Sequence, residues 1–109
     1  MQAKWSDRVI NSKIEFAAIV RTGARAEING IGFIYRRNNL GYARFAVSVA
    51  KKRLKTAVMR NYFKRIHREL FRLQVAQDLG IDIIVIPIKT SFVDAATSWN
   101  QLCQFLANY

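Results

Sequence analysis

A chain of 109 residues with 51% hydrophobic side chains and a single proline suits one folded domain with its own core, and excludes disorder over most of its length. Its formal charge of +11 exceeds what solubility requires and points to a polyanionic partner: nucleic acid, acidic protein or anionic membrane surface. No apolar run is long enough for a spanning helix, and the opening MQAKWSDRVI lacks the apolar stretch and cleavage site of a secretory signal. Cys103 stands alone, so no intramolecular disulfide forms, and a reducing cytoplasm is expected. With one cysteine and one histidine, no zinc site of the usual kind can be built from this chain.

Residues 1–11 mix Lys4, Trp5, Arg8 and Val9 without a clear period and read as a loosely held segment. Ser12 and Glu15 then form an S-x-x-E capping box, which opens a helix of about three turns. Ile14, Phe16, Ile19 and Val20 supply its apolar positions, and Gly23 is a natural stop. Phe16 and Val20 share a face, for which core packing is the plain reading. A strand is predicted over Ile31–Arg37, with Phe33 and Tyr35 on one face. Residues 27–32 begin an earlier strand whose edges Gly30 and Gly32 blur.

Asn38, Asn39 and Gly41 make a turn into residues 42–50, which alternate. Phe45, Val47 and Val49 point one way, and Ala46, Ser48 and Ala50 the other. The small-sided face either admits a ligand or lies under a packed helix. A long helix is predicted over about 56–77, capped by Thr56 and ended by Gly80. Residues 81–88 are nearly all apolar, the pattern of a strand covered on both faces, with Pro87 near its end. Ser91 and Asp94 start a closing helix whose stripe is Phe92, Ala95, Ala96, Trp99, Leu102, Cys103 and Leu106. On that stripe Cys103 reads as a small core residue.

Nine of the 18 Lys and Arg residues fall within residues 51–72, with Glu69 the only acid among them. At about 100° per residue, Arg60, Asn61, Lys64, Arg65, Arg68 and Arg72 fill one arc of about 140°. Met59, Phe63, Ile66, Leu70 and Leu73 lie opposite, Tyr62 and Glu69 flank them, and His67 and Phe71 border the cationic arc. A row of cations on one face repels itself unless an anion covers it. Arginine forks suit phosphate, and Asn61 suits phosphate, 2′-hydroxyl or base edges. Lys51, Lys52, Arg53 and Lys55 extend the same surface. The helix lies mid-chain between strands, which favours burying its apolar side in a core over laying it on a membrane.

These residues carry a resemblance. Ser48-Val49-Ala50-Lys51-Lys52, followed by Ala57-Val58-Met59-Arg60-Asn61-Tyr62-Phe63-Lys64-Arg65-Ile66-His67-Arg68-Glu69, is similar to the central signature of the bacterial ribonuclease P protein subunit family. That signature reads S-V-x-K-K, then A-V-x-R-N-x-x-K-R-x-x-R-E. The order of elements also fits along almost the whole chain, while the amino-terminal third matches loosely. The resemblance implies a single compact α+β domain over 1–109, in the order α-β-β-β-α-β-α. Its four-stranded sheet would have a left-handed crossover helix, as in a domain of ribosomal proteins and elongation factor G. It implies a non-catalytic subunit that joins a large catalytic RNA to remove the 5′ leader from precursor transfer RNA.

By the same resemblance, the catalytic RNA would meet Lys51, Lys52, Arg53, Arg60, Asn61, Lys64, Arg65 and Arg68. The single-stranded leader would enter a cleft of the first helix and a sheet face, at Phe16, Val20, Tyr35 and Ser48. No metal or other cofactor would be held by the protein alone, and Mg²⁺ in the assembled enzyme would be held mainly by RNA. No membrane and no obligate protein partner are implied. This chain departs from the pattern twice. Tyr62 stands where a third basic residue is common, where it either stacks or anchors the helix on the core. Val20 stands where a second aromatic follows Phe16.

The residues agree with a non-catalytic role. Metal-assisted phosphodiester cleavage uses converging carboxylates, and Asp7, Glu15, Glu27, Glu69, Asp78, Asp82 and Asp94 are scattered. A histidine pair is impossible with His67 alone. A ribosomal or other structural RNA-binding protein of similar fold is the alternative. A DNA-groove reader is less suited, because no turn joins two short helices.

Overall fold

The computed structural model describes residues 5–89 and 94–109. A 3₁₀ turn, Trp5–Arg8, precedes α1 (Lys13–Thr22), β1 (Ala24–Ile28), β2 (Ile31–Arg37), β3 (Arg44–Val47), α2 (Ala57–Gln74), β4 (Ile81–Pro87) and α3 (Ala95–Leu106). The strands form one mixed sheet in the order β1-β2-β4-β3. The apolar β-branched run of β4 takes an inner position, antiparallel to β2 and parallel to β3. Ile81, Ile83 and Val85 face one core, and Ile84 and Ile86 the other, so both faces are covered as the run predicts. Because β3 and β4 are parallel, the chain must cross over between them, and α2 is that crossover. α1 packs on one face with Ile34, Ala46 and Ile84. α2 and α3 pack on the other, around Phe33, Phe45, Ile83 and Trp99.

Several expectations are corrected. Asn29 and Gly30, with φ of 53° and 81°, form a two-residue hairpin turn between the paired Ile28 and Ile31. That geometry is the type I′ pattern, so Asn-Gly is a hairpin signal and β1 begins earlier, at Ala24. Residues 42–50 alternate as expected, but only Arg44–Val47 joins the ladder. α1 does stop at Gly23, yet with an ordinary φ of −74°. The glycine is needed there for close approach, since a Cβ would lie 2.7 Å from the Ile19 carbonyl oxygen and 2.8 Å from Ile34. α2 ends at Gln74, well before Gly80.

The amino-terminal segment is not loose within residues 5–10. Val9 bridges to Phe45, and the Ile10 amide donates to the Phe45 carbonyl at 3.0 Å. The Arg8 guanidinium donates to the carbonyls of Gln77 (2.8 Å) and Ala43 (3.3 Å). Trp5 lies against Phe45 and Phe71. For α3, Asp94 is the cap, accepting from the Thr97 amide at 3.1 Å, while Ser91 and Phe92 fall outside the described residues.

α2 is rolled about 60° from the face that its apolar residues alone would choose. Phe63, His67 and Phe71 are its buried stripe, Ile66 and Leu70 are half-buried, and Met59 and Leu73 are exposed. Aromatic packing causes the roll. Phe71 stacks on Phe45 at 4.8 Å, and His67 Nδ1 accepts from Trp99 Nε1–H at 2.8 Å.

That hydrogen bond requires a neutral imidazole, and burial pushes the His67 pKa down from 6.5 to about 4. The unfolded chain therefore binds this proton more readily than the folded one between those values. Stability contributed here is full above pH 6.5 and falls as pH drops toward 4, by up to about 3 kcal/mol. Urea midpoints at pH 7 and pH 4.5 should fall less in His67→Gln than in the parent protein.

Candidate nucleic-acid interface

Thr56 caps α2, accepting from the Met59 amide at 3.1 Å, and so fixes where the basic face begins. Asn61, Lys64, Arg65 and Arg68 are exposed on that face. The side chains of Lys64 and Arg68 make no hydrogen bond or ion pair among the described residues. Arg65 lies over the Tyr62 ring, 5.7 Å from its centroid. Arg72 is paired with Glu69 at 2.8 Å, which spends the one acid of the helix beside the row and holds its carboxyl below the usual range. Arg60 differs from the rest. It is half-buried, and its guanidinium donates to the Leu54 carbonyl at 2.9 Å, so part of its role is to hold the preceding turn.

Lys51 and Lys52 are exposed on that turn, which the fully buried Leu54 pins to the core. Arg53 is exposed as well, but donates to the Ile88 carbonyl at 3.0 Å and ties the turn to the end of β4. The structure thus gathers the predicted contacts from Lys51 to Arg68 along one turn and one helix.

The second predicted group is only partly gathered. Phe16 and Val20 are half-buried on one flank of α1, packed with Ile86 over Ile34, Ala46 and Ile84. Ser48 follows Ala46 on the same side by strand alternation, half-buried, its amide donating to the Val85 carbonyl at 2.9 Å. Tyr35 is not with them. It shares the Phe33 face, packs on the α2–α3 core and meets Tyr109 edge-on at 5.2 Å. The alternation of β2 puts the sheet between Tyr35 and Phe16.

Besides its apolar packing, α1 is tied to the sheet by a charge cluster that period and charge pattern alone do not reveal. Asp82, fully buried in β4, accepts from Arg44 Nε and Nη2 at 2.9 Å each, and from Asn38 at 2.8 Å. Arg44 also pairs with Glu15 of α1 at 2.8 Å, and these carboxylates hold its guanidinium well above the ordinary range. Arg36 Nε sits 3.8 Å from Asp82, while its Nη1 donates to the Thr22 hydroxyl at 3.1 Å. Both ends of α1 are thus linked to one carboxylate. A lone acid inside a run apolar on both faces was the available signal, because such a charge needs a buried partner.

Glu15 and Asp82 are therefore structural, Glu69 pairs with Arg72, and Asp94 is a cap. Among the described residues no three His, Cys, Asp or Glu side chains come together as a metal site. Cys103 is half-buried with its thiol pushed up by burial, and its Sγ donates to the Gln74 carbonyl at 3.5 Å. No helix of the described residues is long and apolar enough to cross a membrane.

Fold and surface together define a small basic α+β domain in which one helix presents a row of cations to solvent. The family model described as Ribonuclease P matches residues 6–109, and the chain belongs to that family. The ribonuclease P protein component of Vibrio cholerae is 50% identical over 58 residues, 53% of this chain and 49% of that one. That of Histophilus somni is 39% identical over 74 residues, 68% of this chain and 62% of that one. The chain thus spans about half the length of the Vibrio relatives it matches. The RNase P protein of Thermotoga maritima superposes with a TM-score of 0.68 at 26% identity, covering 100% of this chain and 97% of that one. A Staphylococcus aureus RNase P protein mutant with defective mRNA degradation activity gives 0.76 at 26%, covering 94% and 90%.

Asp82→Asn should leave Arg44 buried without its main partner and lower stability by about 3–5 kcal/mol. Denaturant unfolding checks this, and a midpoint within error of the parent would refute the tethering role.

Proposed function

We propose that this chain is the protein subunit of ribonuclease P, docking on the catalytic RNA through α2 and assisting removal of the 5′ leader from precursor transfer RNA. The observation that carries it is the solvent-facing row of Asn61, Lys64, Arg65 and Arg68, continued by Lys51 and Lys52, on a helix anchored by Phe63, His67 and Phe71. Family membership favours the catalytic RNA of ribonuclease P as the partner. Phosphates of a folded RNA neutralise that row, which Glu69, committed to Arg72, does not. On the other face of the sheet, Phe16 and Val20 wall an apolar shelf with Ile86 that suits unpaired leader bases, with Ser48 at its edge. Tyr35 stands outside that shelf and is left out of the assignment.

Glu15, Asp82, Glu69 and Asp94 have structural partners and the described acids form no cluster, so the Mg²⁺ that cleavage needs is assigned to the RNA, and the work is assigned to the cytoplasm, where transfer RNA matures. Reconstitution with the cognate RNA at low Mg²⁺ tests the reading: precursor affinity and leader removal should rise, and no gain would sink it. A structural role in ribosomes predicts co-purified ribosomal RNA in place of one discrete RNA.

Two variants report on the surfaces separately. Arg65→Ala and Arg68→Ala should each weaken assembly and reduce the magnitude of the log–log salt slope by about 0.7–0.9. Filter binding between 50 mM and 200 mM salt measures it. Phe16→Ala should weaken binding of precursor more than of mature product; equal losses would mean plain core damage.

A further inference from the structure

The roll of α2 leaves an apolar ledge beside the cationic row, and nothing in the core uses it. Tyr62 is 55% exposed and Met59 43%, with the half-buried Ile66 next to them on the helix surface. Tyr62 therefore does not anchor the helix; Phe63, one residue on, does. The only ring contact of Tyr62 among the described residues is the guanidinium of Arg65, one turn along and 5.7 Å from the centroid.

From this arrangement we infer that Tyr62 is a base-stacking contact, taking an unpaired nucleobase of the RNA that docks on α2; the inference rests on that docking. The nearby guanidinium adds a cation to the rim of the ring, and the exposed remainder of the ring is open to a base. Charge sets the direction. A strand whose phosphates lie on Lys64, Arg65 and Arg68 carries its bases to one side of that row, and the Tyr62 ledge is immediately beside it. A stack of this kind needs no particular base, and it adds binding energy without neutralising a phosphate. An apolar protein segment would gain little from the exposed cations of the same surface, Lys51, Lys52, Lys64, Arg65 and Arg68 among them.

The two kinds of contact differ in salt dependence, which makes them separable. Binding of the full-length protein to its catalytic RNA is measured against salt for Tyr62→Phe, Tyr62→Leu and Tyr62→Ala, with Lys64→Ala and Arg68→Ala as references that do not touch the ring. Tyr62→Phe should keep the parent affinity. Tyr62→Leu and Tyr62→Ala should lose roughly tenfold, with the salt slope unchanged. Because the ring is exposed, all three should melt with the parent protein.

Parent affinity in Tyr62→Leu would replace stacking by a plain apolar contact and overturn the inference. Parent affinity in Tyr62→Ala would overturn any contact. A loss in Tyr62→Phe equal to that in Tyr62→Ala would assign the hydroxyl instead of the ring. If Lys64→Ala and Arg68→Ala leave the slope unmoved, the docking reading itself fails. If they move it while Tyr62→Ala is silent, only the stacking inference fails.

Discussion

The buried carboxylate of Asp82 is the constraint on which most of the architecture depends. A charge removed from water costs several kcal/mol unless it is paired and hydrogen-bonded, so every element that supplies a partner is held in place by that need. β3 supplies Arg44, the turn after β2 supplies Asn38, and α1 is held twice, through Glu15 on Arg44 and through Thr22 on Arg36. Sliding α1 over the sheet would break the Glu15–Arg44 and Thr22–Arg36 contacts, while Arg44 keeps its bonds to Asp82. The net energy of such a cluster against an apolar core can be small. Its consequence here is geometric: the flank with Glu15 and Thr22 is tied, which leaves the flank with Phe16 and Val20 to wall the shelf.

α2 meets a different problem. A row of like charges on one face opposes helix formation, and Arg72 is the one member relieved by an acid. The helix must therefore be held by its other side, and it is held by rings. Phe71 stacks on Phe45 and lies against Trp5 and Trp99, while Phe63 and Trp99 flank His67. Trp5 and Arg8 belong to this same assembly, because they seal the end of α2 against β3. The amino-terminal segment is thus part of what keeps the cationic row rigid.

Patterns of period and charge were legible in the sequence. The Ser12 and Thr56 caps, the β4 run, the alternation of residues 44–47 and the exposure of Lys64, Arg65 and Arg68 all follow from local chemistry. What was not legible depends on partners distant in the chain. A helical wheel ranks His67 as polar, yet Trp99, 32 residues later, makes it a core residue and turns the helix. Strand alternation separates Tyr35 from Ile34 but does not say which face α1 covers; the resemblance alone grouped Tyr35 with Phe16, and the sheet divides them. Asn29-Gly30 is a failure of another kind, since its hairpin chemistry was local and available.

The two surfaces lie on opposite faces of one sheet, and a single short turn joins them. β3 ends at Val47, Ser48 follows it beside the shelf, and the turn after that carries Lys51, Lys52 and Arg53 to the start of α2. Leu54 pins that turn in the core, Arg53 ties it to Ile88, and Arg60 ties it to the first turn of the helix. Two hydrogen bonds and one buried side chain converge on this turn, and without them the shelf and the cationic row would be free to move independently. An RNA held along α2 and a strand lying beside α1 would then have no fixed relation to each other. With the turn locked, the sheet acts as a rigid spacer, and the distance between the two proposed nucleic-acid surfaces is a property of the fold.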